Sequence, residues 1–508
     1  MNDEARAGEK PAIGAWRERL CSSPISRWTQ RFCAPAEEYR LTSRLFLKVL
    51  ALIYFAAFVS LGVQITGLVG ADGILPLARY LANAREALGF AAYWRLPTLF
   101  WFDASDLALQ AVAAAGAIAA MMLFADWHAR VAAIAAFLCY LSLFHAGQLF
   151  LNFQWDSLLL ESGFLAIFLV DRPSRLLVFL YYWLLFRLRF FSGLSKVVSG
   201  DPSWAHLTAL DYYFQTQPLP HPGSWYAQQL PQWLHWSGAG FTLFVELIVP
   251  FFLFLPRSYR LFAAGTTILI QLLILATSNH AFVNLLTIAL CLFLLDDRVV
   301  RHLVPYSWRG QGFPRRGLPD RGRLLALAVG GVLMLVSSLS AFSDRLLGLP
   351  VPQPLQAITR ISQAWGLGFV YHIFPTMQTE RQELVIQGSM DGKHWKTYEF
   401  RYKPQKLDEM TPFIVPHHPR LDWMIWFVPT QHPLQMAWFG EFLRKLHEGS
   451  RPVIGLLRSD PFPDGPPRYL RVQVYRYRFT TVEERRDSGE WWKREYLGIF
   501  PRVPPRRP

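Results

Sequence analysis

The stretch "LFLKVLALIYFAAFVSLGVQITGL" (45–68) decides the fold class, because Lys48 is its one charged residue. A helix of about 20 apolar residues is long enough to cross a hydrocarbon core of about 30 Å. Similar runs recur along the chain, and 52% of its 508 residues are hydrophobic whereas 17% are charged. The sequence therefore predicts a polytopic α-helical membrane protein.

Nine runs are apolar enough to be predicted as spans. The fourth, "SLLLESGFLAIFLV" (157–170), is the shortest, and a re-entrant segment is the alternative there. With that alternative open, we expect eight or nine transmembrane helices. The predicted spans cover about 45–68, 107–125, 129–151, 157–170, 176–197, 233–256, 260–277, 280–296 and 324–342.

Short basic segments between the spans orient the chain. "DWHAR" (126–130), "DRPSR" (171–175), "RSYR" (257–260) and the arginine-rich stretch 297–323 alternate with connections that lack Lys and Arg, such as "TSNH". Because cytoplasmic loops carry the excess of Lys and Arg, we place the basic segments inside. They explain much of the net charge of +14 better than nucleic-acid binding does.

The last third of the chain has a different pattern. "RQELVIQGSMDGKHWKTYEFRYKP" (381–404) predicts two strands joined at Asp391 and Gly392, and "RYLRVQVYRYRFTT" (468–481) predicts another. "PLQMAWFGEFLRKLHEG" (433–449) predicts an amphipathic helix. We expect a soluble β-rich, β-sandwich-like domain. The expected divisions are a cytoplasmic segment 1–44, a multi-span domain 45–342 with an outside loop at 199–232, a linker 343–375, and an extracytoplasmic domain 376–508.

Three cations lie within the fifth predicted span: Arg187, Arg189 and Lys196. An unpaired charge at the bilayer centre costs about 2.5–3.5 kcal/mol on insertion scales, so we expect partners. The candidate partners are Asp156, Glu161 and Glu246. Structural ion pairs with snorkelling side chains are one interpretation. The other is a polar cavity for a ligand or a client protein that opens to the outside.

Two outside segments concentrate aromatic residues, among them Tyr212 and Trp225 in the first and Trp423 and Trp426 in the second. Exposed aromatics bury much area with few rotors to freeze. We expect the two segments to form one continuous surface that holds a partly folded secreted protein. The alternative is that the second set packs the outside domain or seats it on the spans.

Four separated motifs occur together in one order. They are "LNFQWDSLLLESGF" (151–164), "LLFRLRFFSGLSKV" (184–197), "LTALDYYFQTQPLPHP" with "WYAQQLPQWLH" (207–235), and "PHHPRLDWMIWF" (416–427). Together they resemble the lipase maturation factors, which are multi-span membrane proteins of the endoplasmic reticulum. Members of that family are needed for secreted lipases to fold and assemble, and no cofactor or reaction is established for them.

The resemblance implies a folding factor rather than an enzyme. Its expected partners are a secreted lipase-type client and the lipid bilayer, with no nucleic acid, cofactor or metal. It implies the endoplasmic reticulum membrane, or the inner membrane if the source is bacterial, with the carboxyl-terminal domain on the lumenal or periplasmic side. The matching motif residues, expected to form a client or polar site, are Asn152, Gln154, Trp155, Asp156, Glu161, Arg187, Arg189, Lys196, Tyr212, Gln215, Thr216, Gln217, Pro218, His221, Arg420, Asp422 and Trp423. Gln215 stands where an acidic residue is expected.

An enzyme and a transporter are the alternative functions. The span block is distantly similar to the membrane part of vitamin K-dependent gamma-carboxylases, and Lys196 could act there as a base, since desolvation lowers the proton affinity of lysine. His417 and His418 lack a third ligand at metal spacing. The spans show no repeated halves, which disfavours a transporter.

The loop charges predict that residues 343–508 lie on the non-cytoplasmic side. A reporter that is active only in the cytoplasm should therefore be silent when it is fused after Phe342 or at the carboxyl end. The same reporter inserted within 297–323 is the control and should be active. A strong signal from the carboxyl-terminal fusion would overturn the predicted number of spans.

Overall fold

The computed structural model describes residues 34–170, 173–309 and 321–501. Predicted features at 1–33, 171–172, 310–320 and 502–508 lie outside the described residues. Within the described ranges, seven helices are long and apolar enough to cross a membrane, which confirms the polytopic fold. They are Glu37–Gly62, Asp106–Phe124, Ala129–Ala146, Arg175–Val198, Gln232–Phe254, Arg257–Thr277 and Gly322–Arg345.

Two shorter helices, Gln154–Leu169 and Val283–Leu294, occupy the fourth and eighth predicted spans. Each runs between the same two ends of the bundle as the long helices. Just before the eighth span, the Asn279 side chain donates to Leu219 O at 3.1 Å and to Pro412 O of the carboxyl-terminal domain at 3.0 Å. At its other end, Leu295 O accepts from Thr42 near the start of the first span.

The fourth span starts beside the carboxyl-terminal segment, because the Gln154 side chain accepts from His372 N at 2.6 Å. It ends just before Arg175, whose backbone N–H donates to Ala34 O at 3.0 Å. We call these ends of the bundle the domain end and the far end. Within the described ranges, seven long helices and two short ones thus run between these two ends.

The far end gathers the basic segments that the sequence places inside. Lys48 pairs with Asp126 at 2.6 Å, and Arg257 pairs with Asp296. The side chain of Asp297 accepts from Thr42 N at 2.9 Å. This grouping agrees with the alternation of loop charge along the sequence.

The domain end carries short helices and the connecting segments. The outside loop at 199–232 is ordered into three helices, and Gln353–Ala364 packs against Ala91–Arg95.

The short helices outside the spans and the carboxyl-terminal domain, at both ends of the bundle, are Ile65–Val69, Leu77–Leu88, Ala91–Arg95, Leu99–Trp101, Gln148–Leu151, Pro202–Ala205, Ala209–Thr216, Pro222–Gln228, Asp297–Leu303, Tyr306–Arg309 and Gln353–Ala364.

The carboxyl-terminal domain contains one antiparallel sheet in the order β2-β1-β3-β4. Its strands are β1 (Arg381–Ser389), β2 (Lys396–Thr397), β3 (Tyr469–Phe479) and β4 (Trp492–Ile499). The predicted hairpin and the third strand are confirmed, whereas β4 was not predicted. Helices accompany the sheet at Arg420–Met424, Ile425–Thr430, Pro433–His447, Arg451–Ile454 and Val482–Ser488.

The domain is β-rich as expected, but the described residues form one sheet rather than the two facing sheets of a sandwich. The buried face of the sheet packs on helix Pro433–His447, where Trp438 and Phe442 belong to the same apolar core as Leu384 and Val474. A helix therefore fills the place that a second sheet would take.

An aromatic cluster joins three spans near the middle of the bundle. Tyr54 contacts Phe58 and Tyr140 with ring centroids 5.8 and 5.7 Å apart, and its hydroxyl donates to Leu159 O at 3.0 Å. Gly163 faces that hydroxyl, and a Cβ added there would collide with it. Because Tyr54 is fully buried, it has little room to move away.

Gly163→Ala should therefore lower the melting temperature of the purified protein, despite the better helix propensity of alanine. Gly265→Ala is the matched control, since an added Cβ there meets no atom within 4 Å. The control should leave stability unchanged or raise it by up to about 1 kcal/mol. Equal melting temperatures for the two variants would contradict the close packing at Gly163.

Candidate functional site

A buried ion pair joins the fourth span to the carboxyl-terminal domain. Arg420 donates to both carboxylate oxygens of Asp156, at 2.6 and 2.8 Å, and both side chains are buried. Tyr140 donates a further hydrogen bond to Asp156 at 2.6 Å, and Arg420 also donates to Phe150 O at 3.0 Å. A bidentate pair of this kind fixes both the position and the orientation of the guanidinium.

One helical turn and a half further along the fourth span, Glu161 pairs with Arg187 of the fifth span. Glu161 also accepts from Phe369 N at 3.0 Å and from the Tyr371 hydroxyl at 2.8 Å. Arg187 in turn donates to Phe369 O at 3.0 Å. The pair therefore binds the backbone of the segment that leads into the carboxyl-terminal domain.

The third network is built on Glu246 of the sixth span. Its carboxylate pairs with Lys196 at 2.7 Å and with Arg189 at 3.3 Å. Lys196 also donates to Ile373 O at 2.8 Å, and Ser192 accepts from Ile373 N at 3.3 Å. This network again bonds to the chain segment just before the carboxyl-terminal domain.

The expected pairing within the spans is confirmed for Arg187, which binds Glu161. It is also confirmed for Arg189 and Lys196, which both pair with the third candidate, Glu246. Asp156 pairs with Arg420, which the sequence analysis placed in the site without a partner. These charges are structural ion pairs, and each network also holds a piece of the carboxyl-terminal third in place.

Arg381, at the start of β1, donates hydrogen bonds to the backbone of the outside loop. Its guanidinium donates to the carbonyl oxygens of Gln215 at 3.0 Å and of Pro218 at 2.9 Å, and also to Gln217 O. Glu383 pairs with the same guanidinium at 2.6 Å. The start of β1 is thereby bonded to the backbone of the outside loop.

Polar groups of the outside loop bond within the loop, to the seventh span and to the carboxyl-terminal domain. Gln217 is buried and donates to Thr277 O at 2.8 Å, and His221 accepts from Gly223 N at 3.0 Å to cap helix Pro222–Gln228. The carbonyl of Tyr212 accepts from Thr216, whose own carbonyl accepts from Trp426 Nε1 at 2.7 Å.

Asp422 is also a structural residue. It is buried and accepts from the backbone N–H groups of Tyr402 and Lys403, at 2.7 and 3.0 Å. Burial raises the pKa of this carboxyl, while those two hydrogen bonds oppose the rise. The side chain therefore holds a loop of the carboxyl-terminal domain in place.

An aromatic cavity of about 480 Å³ lies where the bundle meets the carboxyl-terminal domain. We call it the seam cavity. Asn152, Gln154 and Trp155 line it from the bundle, and Trp423 closes it from the domain. Other lining residues are Phe153, Pro218, His280, His372, Ile373, Phe374, Trp426 and Phe427.

Edge-to-face ring contacts tie the two walls of the seam cavity together. Trp155 and Trp423 have centroids 5.0 Å apart, and His418 lies 4.9 Å from Trp155. Phe153 stacks on Trp155 at 4.7 Å. Such contacts add to the burial of apolar area, so the cluster strengthens the junction beside the ion pairs.

Polar atoms in this cluster lack partners among the described residues. They are Trp155 Nε1 and both ring nitrogens of His418. Burial lowers the pKa of His418 well below its ordinary value, and the charge of Arg420 adds to this effect, so the imidazole is neutral. Buried donors without partners are rare, and Trp155 is a wall residue of the cavity.

The expected continuous surface of exposed aromatics is not what these residues form. Phe214, Trp225 and Trp423 are buried, and Trp426 and Phe427 are half-buried. Tyr226 is exposed. The aromatics pack the domain and seat it on the spans because their large apolar area is better removed from water, and they leave a cavity rather than an open face.

The residues 41–302 match the family model described as "Lipase maturation factor transmembrane domain", and 368–501 match "Lipase maturation factor C-terminal domain". The chain belongs to the lipase maturation factor family. A lipase maturation factor-like role follows from that membership.

Three similar relatives illustrate how much of the chain the family covers. Lipase maturation factor 2 of Xenopus laevis is 32% identical over 91% of this chain and 82% of its own length, and the Homo sapiens protein of that name gives the same three values. Lipase maturation factor 1 of Mus musculus is 33% identical over 92% of this chain and 87% of its own. No solved structure matches the chain.

The part of the seam cavity wall that comes from the carboxyl-terminal third was not predicted. Residues 343–375 were expected to be a linker, although Phe369, Tyr371 and Ile373 bond to the charged networks. His280 in the cavity wall was not predicted either. A signal was present in the apolar string "GFVYHIF" (368–374), which is unusual for a solvated connector.

The buried pair of Asp156 and Arg420 can be tested with a double-mutant cycle. Asp156→Leu and Arg420→Met should each cost about 3–5 kcal/mol, because each leaves an uncompensated buried charge. The double variant should cost clearly less than the sum of the singles. Thermal unfolding of the purified protein in detergent measures all three.

Arg444→Met is the control for that cycle, since Arg444 pairs with Glu441 and Glu448 in the same domain but is exposed. It should cost at most about 1 kcal/mol. Single variants at Asp156 and Arg420 that unfold no earlier than this control would show that the pair does not hold the domain on the bundle.

Proposed function

We propose that this protein is a membrane-bound maturation factor that assists secreted lipases or related hydrolases, and that a client segment enters the seam cavity. The observation that carries the proposal is the cavity itself, in a chain of the lipase maturation factor family. It lies between the spans and the carboxyl-terminal domain, so a client segment could contact both.

The chemistry of the seam cavity suits an apolar or aromatic side chain together with its backbone. Its walls are dominated by aromatic rings, such as those of Trp155 and Trp423, and its volume of about 480 Å³ is typical of ligand sites. The Trp155 indole N–H has no partner among the described residues and can donate to a carbonyl oxygen of the client. Asn152 and Gln154 add amide groups at the same wall.

We further propose the arrangement of the chain in its membrane. The segments 1–44, 45–342, 343–375 and 376–508 are the cytoplasmic, membrane, linking and extracytoplasmic parts, with the outside loop at 199–232. The membrane is that of the endoplasmic reticulum, or the inner membrane in a bacterium. The arginine-rich loop 297–323 supports this orientation, which puts the seam cavity on the lumenal or periplasmic side where secreted clients fold.

The contacts of Lys196 disfavour the enzyme alternative. A lysine that acts as a base must lose its proton and reach a substrate. Lys196 instead donates to Glu246, to Ile373 O and to Ser192, and the side chain is buried among them.

Asn152→Trp tests the proposed client site. Asn152 is exposed and lines the seam cavity, so an indole there should fill the mouth without disturbing the core. In a strain that lacks the natural protein, this variant should be abundant in the membrane but should lower the yield of active secreted serine hydrolases. A fluorophosphonate probe that labels active serine hydrolases measures that yield.

Asp464→Trp is the control, because Asp464 is exposed in the carboxyl-terminal domain and does not line the cavity. It should support the same labelling as the unchanged protein. If the deletion strain itself secretes every labelled hydrolase normally, the maturation role fails. If the deletion lowers labelling but Asn152→Trp restores it fully, the seam cavity is not the client site.

A further inference from the structure

A second cavity, of about 610 Å³, lies at the domain end beside the third span. We call it the interfacial cavity. Segment 90–102 forms one wall with Trp94 and Trp101, the third span forms the floor with Leu138, and Trp365 closes one side. Its volume falls within the range of about 300–1,000 Å³ that is typical of small-molecule sites.

The floor of this cavity continues a lipid-facing stripe of the third span. Val131, Ile134 and Leu138 succeed one another at helical spacing and are 62, 37 and 40% exposed. Ala129–Ala146 is long and apolar enough to cross a membrane, so an apolar stripe left uncovered by the protein faces acyl chains. Leu138 belongs to both the stripe and the cavity, which therefore joins the hydrocarbon region to the interior of the protein.

The rim of the interfacial cavity has the composition of a membrane interface. Phe90, Trp94 and Phe102 are exposed there, the last by 91%. Arg95 follows Trp94 directly and is also exposed. Aromatic residues are enriched at headgroup depth, and an arginine beside them can bind a phosphate oxygen.

Three side chains of the wall, Thr98, Ser142 and Trp101, have their polar groups bonded within the protein. Thr98 donates to Ser142 O at 3.2 Å, the Ser142 hydroxyl accepts from Leu99 N at 3.1 Å, and Trp101 Nε1 donates to Leu96 O at 2.8 Å. The wall therefore presents apolar and aromatic surface to an occupant. An alkyl chain can fill such a space without leaving a polar group unsatisfied.

We propose that the interfacial cavity holds one acyl chain of a bilayer phospholipid, which enters sideways along the third span while its headgroup stays near Arg95. The continuity of the floor with the lipid-facing stripe favours a bilayer lipid over a soluble ligand. This site is separate from the seam cavity and does not depend on the maturation role.

The test uses the full-length protein in nanodiscs that contain phosphatidylcholine with a photoactivatable diazirine in the middle of one acyl chain. After illumination and digestion, mass spectrometry should find adducts concentrated in 90–102 and 138–142, above the level on the lipid-exposed residues Ile118 and Met121 of the second span. Label spread equally over both regions would overturn the proposal, since it would show ordinary annular contact.

Leu138→Trp should lower the adducts in the cavity by about tenfold, the effect of excluding roughly two methylene groups from apolar contact. Val131→Trp is the matched control on the same exposed stripe and should leave them unchanged. Trp94→Ala, at an exposed position of the cavity wall, should also lower the adducts in the cavity. It replaces Leu138→Trp as the test if that variant misfolds. Unchanged adducts in a folded Leu138→Trp or Trp94→Ala protein would refute the site.

Competition distinguishes the source of the chain. Unlabelled phosphatidylcholine should displace the photolabel from the cavity, whereas an equal amount of unlabelled fatty acid should not. Displacement by the fatty acid alone would mean that the occupant is a free acid and not a bilayer phospholipid, which would overturn the proposal as stated.

Discussion

Charges buried within apolar spans need partners, and in this protein the partners tie the carboxyl-terminal third to the bundle. Arg420 reaches back to Asp156, Glu161 accepts from Phe369 N, and Lys196 donates to Ile373 O. Lifting the domain away would leave Asp156 without its cation in a medium of low dielectric, at a cost of several kcal/mol. It would also remove hydrogen bonds from Glu161 and Lys196, although these keep their partners Arg187 and Glu246. The spans and the domain therefore depend on each other for a satisfied interior.

That dependence explains where the seam cavity lies. The ion pairs hold two aromatic surfaces against each other, one from the fourth span and one from the segment around Trp423. Rings of this size leave space when they meet edge to face, and the fixed backbone prevents them from closing it. The neutral His418 and the unpartnered Trp155 indole are consequences of the same enclosure.

The sequence predicted the spans well because hydropathy and loop charge are local signals. It predicted that the cations of the fifth span are paired, since the insertion cost applies whatever the partner is. It could not identify Arg420 as the partner of Asp156, because that contact joins residues 264 positions apart. The strand β4 was not predicted because its charged residues obscure the alternation typical of a strand. The aromatics of 416–427 were expected to be exposed, because local composition carries no information about what covers them.

The family motifs are far apart in the chain, yet most of their polar residues meet at the junction of bundle and domain. Asp156, Lys196, Gln217 and Arg420 come from four different motifs, and each bonds across elements. In this structure these bonds set the position of the domain. A substitution at any of them would also shift the domain, so a loss of function would not show that the residue touches a client. Contact between a client and the protein is better probed at the mouth of the seam cavity, where Asn152 is exposed and takes no part in those networks.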